Sequence, residues 1–206
     1  MTEPPELYKK YYIDREYEQV DLFRMIRREF GIRTAVYPGS YVHISPSFIF
    51  PETVYIDTDS KAVTFFKSGQ LQSYVEKRKE YSERPDIRFF DSDYREIIPE
   101  LVNRFQLMIS QYAGFISEYC KPYLEPGGIL LVNNSHADAG LASLDPDYTF
   151  IAAVRKTADT YRISYTALNE YFIPKKEIDV TREYLHSIKK GVGYRKAVPL
   201  YIFRKI

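Results

Sequence analysis

Tryptophan is absent from this chain, and cysteine and histidine are scarce: Cys120 is the one cysteine, and His43, His136 and His186 are the three histidines. A lone cysteine forms no internal disulfide, and none of these residues has zinc-site spacing, so no metal is expected. Long apolar runs are missing too. Nothing approaches the roughly 20 residues that cross a bilayer, and the opening MTEPPELYKK lacks the apolar centre of a signal peptide. A cytoplasmic protein with no membrane partner is expected. A charge surplus is also lacking, the formal net charge being +1. The basic clusters at Arg24/Arg27/Arg28, Lys77/Arg78/Lys79 and Lys189/Lys190 are modest. Extended duplex binding needs a more concentrated footprint, which argues against a nucleic-acid partner.

What is present is an ordinary folded composition, with 45% hydrophobic residues over a length of 206 that suits a single domain, 1–206, carrying residues 1–30 as an N-terminal helical extension. The 20 tyrosines serve core packing and pocket lining alike and assign no function.

Periodicity predicts a helix over 15–30, with Val20, Phe23, Ile26 and Phe30 on one face, ended by Gly31. Strands are expected at 33–37, stopped by Pro38-Gly39-Ser40; at 53–56, closing on Asp57; at 87–90, closing on Asp91; and at 105–109, ending at Ser110. Between them fall helices from Ser60 as cap through Phe66, over 71–81 and over 94–102. A helix over 115–124 leads into the turn Glu125-Pro126-Gly127-Gly128 and a buried strand, 129–132. Strands alternating with helices argue for an α/β fold, a doubly wound, mostly parallel sheet with helices on both faces. The final third differs: β-prone runs at 148–154 and 161–165 separated by a polar turn, a helix over 180–190, and a closing strand, 199–206.

In such a sheet ligands bind beyond the carboxyl ends of the strands. Four groups of residues converge on that rim: Tyr37, Pro38, Gly39 and Ser40; Asp57 with Thr58; Asp91 with Ser92; and Ser110 with Gln111. An acid 18 positions after Gly39 is placed to accept hydrogen bonds from ribose hydroxyls, pointing to a nucleoside-containing ligand; its alternative role is to cap the next helix. The run Asn133-Asn134-Ser135-His136-Ala137-Asp138 follows the fifth strand. There His136 and Asp138 could supply a base and its partner, although such a run more often caps the next helix. His43 and Cys120 read as packing residues. Tyr8, Tyr11, Tyr12 and Tyr17 could form a lid, but packing on the outer sheet edge is the preferred reading.

The runs VYIDTDSKAVTFF, IRFFDSDYREI, FQLMISQYAGF and YLEPGGILLVNNS, taken in order, resemble the second to fifth strands of the class I S-adenosylmethionine-dependent methyltransferases. The resemblance covers about residues 34–133 and more loosely LYIFRKI. Each motif alone is common; their order and spacing carry the likeness. It implies a seven-stranded sheet in order 3-2-1-4-5-7-6 with the last strand antiparallel, and S-adenosylmethionine as cofactor. It also implies Asp57 at the ribose, Asp91 at the adenine, and Gln111 and Tyr112 near the transferred methyl. YPGSYVHISP departs from the family pattern: Tyr37 stands at the usual acid, and Tyr41 and His43 at later glycine positions. A tyrosine side chain there obstructs the ligand unless the loop takes another path. Pro46 could start a short helix whose amides receive a carboxylate instead.

These features imply a methyltransferase acting on a small molecule or a protein side chain, since Ser110-Gln111-Tyr112-Ala113 lacks the Asn-Pro-Pro-Tyr type motif of amino-directed nucleic-acid enzymes. The alternative is a non-catalytic protein of the same fold, a nucleoside sensor or an interaction scaffold. A nicotinamide-dependent dehydrogenase ranks last, because its Gly-x-Gly-x-x-Gly loop is absent.

Overall fold

The computed structural model describes residues 3–157 and 160–206, which fall into two compact units, Met1–Tyr94 and Arg95–Ile206.

In the first unit a short helix, α1 (Glu6–Tyr8), runs into a π-helical turn at Lys9–Ile13. Helix α2 (Val20–Phe30) starts five residues later than the predicted position 15, because Gln19 takes a left-handed backbone with φ 58°. It buries Leu22, Phe23 and Ile26, each contributing about 1.5–3 kcal/mol of apolar burial, while Val20 and Phe30 remain half-buried. Gly31, at φ 68°, ends the helix and donates its N–H to Arg27 O.

Next come β1 (Thr34–Pro38), α3 (Pro46–Ile49), β2 (Glu52–Ile56), α4 (Ser60–Lys67), α5 (Leu71–Arg78) and β3 (Asp86–Phe90). The strands are parallel in the order β3-β2-β1, with Val36 opposite Val54 and Ile56 opposite Phe90. Central β2 buries Thr53 through Ile56, as a strand covered on both faces must. Helix α4 is capped by Asp59 rather than Ser60: its carboxylate accepts from Lys61 N and Ala62 N.

The second unit holds β4 (Phe105–Ser110), α6 (Ile116–Tyr119), β5 (Leu124–Val132), α7 (Asp138–Leu144), β6 (Tyr148–Thr157), β7 (Thr160–Ser164), α8 (Arg182–Ile188) and β8 (Leu200–Lys205). The order is β4-β5-β8-β6-β7. The β4–β5 pair is parallel, and β8 lies antiparallel between β5 and β6. The described residues thus contain eight strands, not seven; β7 is the addition, a hairpin partner on the outer side of β6. The polar turn expected between β6 and β7 falls at residues 158–159, outside the described residues.

Two helical predictions shorten at prolines. The run 94–102 keeps only the turn Pro99–Leu101, because Pro99 forces Ile98 into an extended backbone at φ −95° and ψ 106°. The run 115–124 splits at Cys120 into α6 and a turn at Lys121–Tyr123 containing Pro122. The predicted turn 125–128 is a bulge within β5, since Leu124 pairs with Phe105 and Ile129 with Leu107. A Cβ on Gly128 would sit 2.8 Å from Glu125 O and 3.2 Å from Phe105 O, both backbone atoms. Gly128→Ala should therefore destabilise the protein by about 1–3 kcal/mol, read as a lower urea midpoint at unchanged m-value; an unchanged midpoint would show that the bulge yields freely.

Candidate functional site

The loop leaving β1 is shaped by two residues of positive φ, Gly39 at 64° and Tyr41 at 49°. Tyr41, standing at a family glycine position, thus keeps a backbone that glycine adopts without cost. Gly39 N donates to Ile56 O at 2.7 Å, and Tyr41 N donates to Asp57 Oδ2 at 2.7 Å. The other carboxylate oxygen of Asp57 accepts from Asp59 N at 2.8 Å. Half-buried Asp57 therefore gathers the ends of β1 and β2, and both of its oxygens retain acceptor capacity. Asp91 extends from β3 one residue beyond the Ile56–Phe90 pair; it is exposed, with Lys67 Nζ 4.0 Å away. Ser92 reaches Asp93 O only at 3.5 Å, and Thr58 is exposed.

The N-terminal tyrosines pack on this loop, contrary to the preferred outer-edge placement. Tyr12 stacks on His43 with centroids 4.2 Å apart, and Tyr11 meets Tyr41 edge-on at 5.3 Å. Tyr8 bonds Ser45 Oγ at 2.8 Å and donates to the Glu18 carboxylate, which itself pairs with Arg78 at 2.6 Å. The physical reason is burial: a loop carrying Val42, His43, Ile44 and Phe48 needs an aromatic cover that polar loops do not. His43 is the packing residue its sequence context suggests. Its Nε2 faces Glu18 O at 3.1 Å and its Nδ1 faces Tyr37 Oη at 3.4 Å. Burial pushes the ring down to about 4, against smaller upward pulls from the Glu18 carbonyl and carboxylate.

Pro46 does start a helix, but α3 spans four residues. Ser47 N and Phe48 N are already bonded to Ile44 O and Ser45 O, so the amides expected to receive a carboxylate are taken.

In the second unit Ser110 and Asp138 come together, joined by Ser117, which sequence reasoning missed. Ser110 Oγ donates to Asp138 Oδ2, and Ser117 gives its N–H at 3.0 Å and its hydroxyl at 2.6 Å to Oδ1. Burial pushes the Asp138 carboxyl up to about 6, opposed by the serine hydrogen bonds and aided by Glu118. Asp138 is thus engaged with serines, and the base–partner pair with His136 is not formed. His136 pairs instead with Ser135, whose Oγ lies 3.0 Å from Nδ1 and donates to Asn133 Oδ1 at 2.9 Å. With the Ser135 hydroxyl donating to Asn133, the tautomer that fits carries its proton on His136 Nδ1 and leaves Nε2 as an acceptor. Gln111 is 4% exposed, and its Nε2 has no hydrogen-bond partner among the described residues. Tyr112 follows at 61% exposure with φ 61°. Cys120 is buried.

Among the described residues no group of three His, Cys, Asp or Glu side chains could hold a metal ion, and no helix is long and apolar enough to cross a membrane.

The chain has the fold of class I methyltransferases. A protein proposed to be an O-methyltransferase from Klebsiella pneumoniae superposes with a TM-score of 0.51 at 11% identity, over 79% of this chain and 89% of that one. The O-methyltransferase TomG from Streptomyces achromogenes matches at 0.48 and 15%, over 79% and 89%. Against YcgJ from Bacillus subtilis the score is 0.41 at 13% identity over 59% of this chain, and the match spans about half of that protein's length, 54%. No protein-family profile and no curated protein sequence matches the chain.

The two buried groups titrate in opposite senses. Asp138 ionises at about 6 when folded against an ordinary 3.8. Between those values the folded protein holds a proton that the unfolded chain has lost. Its contribution to stability is full below about pH 4 and is lost as pH rises through about 6. His43, at about 4 against 6.5, contributes fully above about pH 6.5 and loses this as pH falls towards 4. Each contribution is about 3 kcal/mol. Urea midpoints between pH 4 and 7 should show Asp138→Asn gaining stability relative to wild type as pH rises, and His43→Gln losing it. Three parallel curves would refute both assignments.

Proposed function

We propose that the protein is an S-adenosylmethionine-dependent methyltransferase whose acceptor is a small molecule or a protein side chain. The observation that carries this reading is the hydrogen bond from Tyr41 N to Asp57. In a chain of this fold it brings the glycine-bearing loop and the acid of β2 together, as a nucleoside-binding rim requires. The fit to the cofactor is chemical: Asp57 keeps lone pairs for ribose hydroxyls, and buried Gln111 keeps an unused amide donor. Tyr41, the residue that threatened obstruction, has its ring against Tyr11.

On this reading Asp57 and Thr58 hold the ribose, and Asp91 and Ser92 the adenine. The backbone of Tyr37, Pro38, Gly39 and Ser40 is assigned to the methionine end, and Ser110 and Gln111 are the residues of the second unit assigned to the cofactor. When bound, S-adenosylmethionine supplies an electrophilic methyl. What the chain must add is orientation of the acceptor and removal of its proton. His136 Nε2 is the group for the second task, its ring fixed by Ser135 and Asn133, with exposed Tyr112 lining the acceptor's approach. Asp138 braces Ser110 and does not touch the reacting atoms.

A second reading, a non-catalytic sensor or scaffold, draws on the aromatic cover: Tyr11 and Tyr12 pack on Tyr41 and His43 of the loop after β1, and Tyr8 packs on Phe48 of α3.

Calorimetric titration separates the two. S-adenosylhomocysteine should bind with a dissociation constant below about 1 mM. Asp57→Ala should weaken it at least ten-fold, and Tyr41→Gly, which suits the same positive-φ backbone, should leave it within about three-fold. No heat at millimolar ligand with either wild type or Tyr41→Gly would leave the scaffold reading.

A further inference from the structure

The net charge of +1 conceals a segregation. Residues 171–206 contain nine Lys and Arg (Lys175, Lys176, Arg182, Lys189, Lys190, Arg195, Lys196, Arg204 and Lys205) against three acids (Glu177, Asp179 and Glu183), an excess of +6, so residues 1–170 carry −5. Two of these cations are spent locally: Arg182 on Glu118 and Asp145, and Lys196 on Glu170. Lys175, Lys176 and Arg195 are not. All three are exposed, and among the described residues none lies within ion-pair distance of a carboxylate. They are gathered on one ribbon. Lys175 N donates to Gly193 O at 2.9 Å and Arg195 N to Ile173 O at 2.8 Å, with Pro174 and Tyr194 bridged between them.

The ribbon borders an open cleft of about 620 Å³, within the 300–1,000 Å³ range of small-molecule sites. Its wall is apolar at Ile173, Pro174 and Ile178 and cationic at Lys175, Lys176 and Arg195. The same ribbon is fastened to the loop that carries His136: Gly191 N donates to Ser135 O at 3.3 Å, and a Cβ on Gly191 would lie 2.0 Å from Asn134 O. Arg195 is four positions after Gly191, so the two Cα atoms are at most about 14 Å apart, the length of one small molecule.

We infer that this cleft holds the acidic head of the methyl acceptor, a small molecule with a phosphate on an apolar body. The assignment of that molecule as acceptor rests on the methyltransferase reading. Three unspent cations match a phosphate dianion, with Arg195 able to take two of its oxygens. Two carboxylates, Glu177 and Asp179, share the lining. They leave a surplus for one such head but repel a continuous phosphate backbone, which selects a small ligand over a nucleic acid.

The probe is 1-naphthyl phosphate, titrated calorimetrically into the full chain beside neutral 1-naphthol. The phosphate should bind at or below millimolar concentration and the naphthol at least ten-fold more weakly. The surface variant Lys175→Ala/Lys176→Ala/Arg195→Ala should lose at least ten-fold in phosphate affinity while keeping its melting temperature and its affinity for S-adenosylhomocysteine. Glu177→Gln/Asp179→Asn should tighten the phosphate. Asp57→Ala should lose S-adenosylhomocysteine and keep the phosphate. Equal binding of phosphate and naphthol, or an unaffected triple variant, would overturn the cleft assignment. Binding of a 20-nucleotide single-stranded RNA without binding of the phosphate would overturn the small-molecule class. Phosphate binding in a protein that binds no S-adenosylhomocysteine would leave an anion site and overturn its assignment to a methyl acceptor.

Discussion

The carboxylate of Asp57 is the constraint on which the first unit's rim depends. One oxygen holds Tyr41 N and the other Asp59 N, so a single side chain at the end of β2 fixes the loop after β1 and the turn before α4. Tyr41 sits in the left-handed region, where a non-glycine residue costs of order 1–3 kcal/mol. The charge-assisted hydrogen bond to Asp57 offsets part of that cost. With the backbone held there, the ring of Tyr41 meets Tyr11 and the ring of His43 meets Tyr12. The aromatic cover is therefore a consequence of the carboxylate's grip as much as of the tyrosines themselves.

The second unit repeats the device with serine in place of backbone. Asp138, at the start of α7, accepts from Ser110 at the end of β4 and from Ser117 in α6. Asp138 thus ties α7 to two elements more than 20 positions earlier in the chain at one buried point. A carboxylate so placed is a brace, which is why its raised pKa, a common mark of catalytic acids, points here to burial rather than chemistry. The open acceptor on His136 stands outside this knot, on a side chain oriented by Ser135 and Asn133.

What is legible in the sequence is what local physics decides. The β1 to β5 segments show as apolar runs closed by Pro-Gly, an acid or another polar residue. Gly31 stops α2 and Pro46 starts α3, because each acts through its own backbone. The misplaced cap of α4 and the failed helix over 94–102 are local as well; Asp59 outcompetes Ser60, and Pro99 lies inside an otherwise helical pattern. The destinations of the side chains were not legible. Tyr12 and His43 are 31 positions apart, and Ser117 and Asp138 are 21 apart; only the folded sheet brings them together. Asp57 and Gly39 could be paired in advance because successive strands of a parallel sheet bring their ends to one rim. Asp138, two positions from His136, was a candidate partner, but it is buried among serines, and Ser135, one position away, is the residue that meets the ring.

The N-terminal segment has a practical consequence. Tyr8 is buried against Phe48 and Tyr74, and it shares Glu18 with Arg78, whose guanidinium lies 4.2 Å over the Phe48 ring. These contacts form one cooperative patch. A protease cut or a bulky fusion that unseats residues 6–18 would bare Phe48, Tyr74 and His43 together, producing a contiguous sticky face of the kind that drives self-association. Preparations that lose those residues should therefore be judged by their solubility before any ligand titration, since precipitation would mimic a failure to bind.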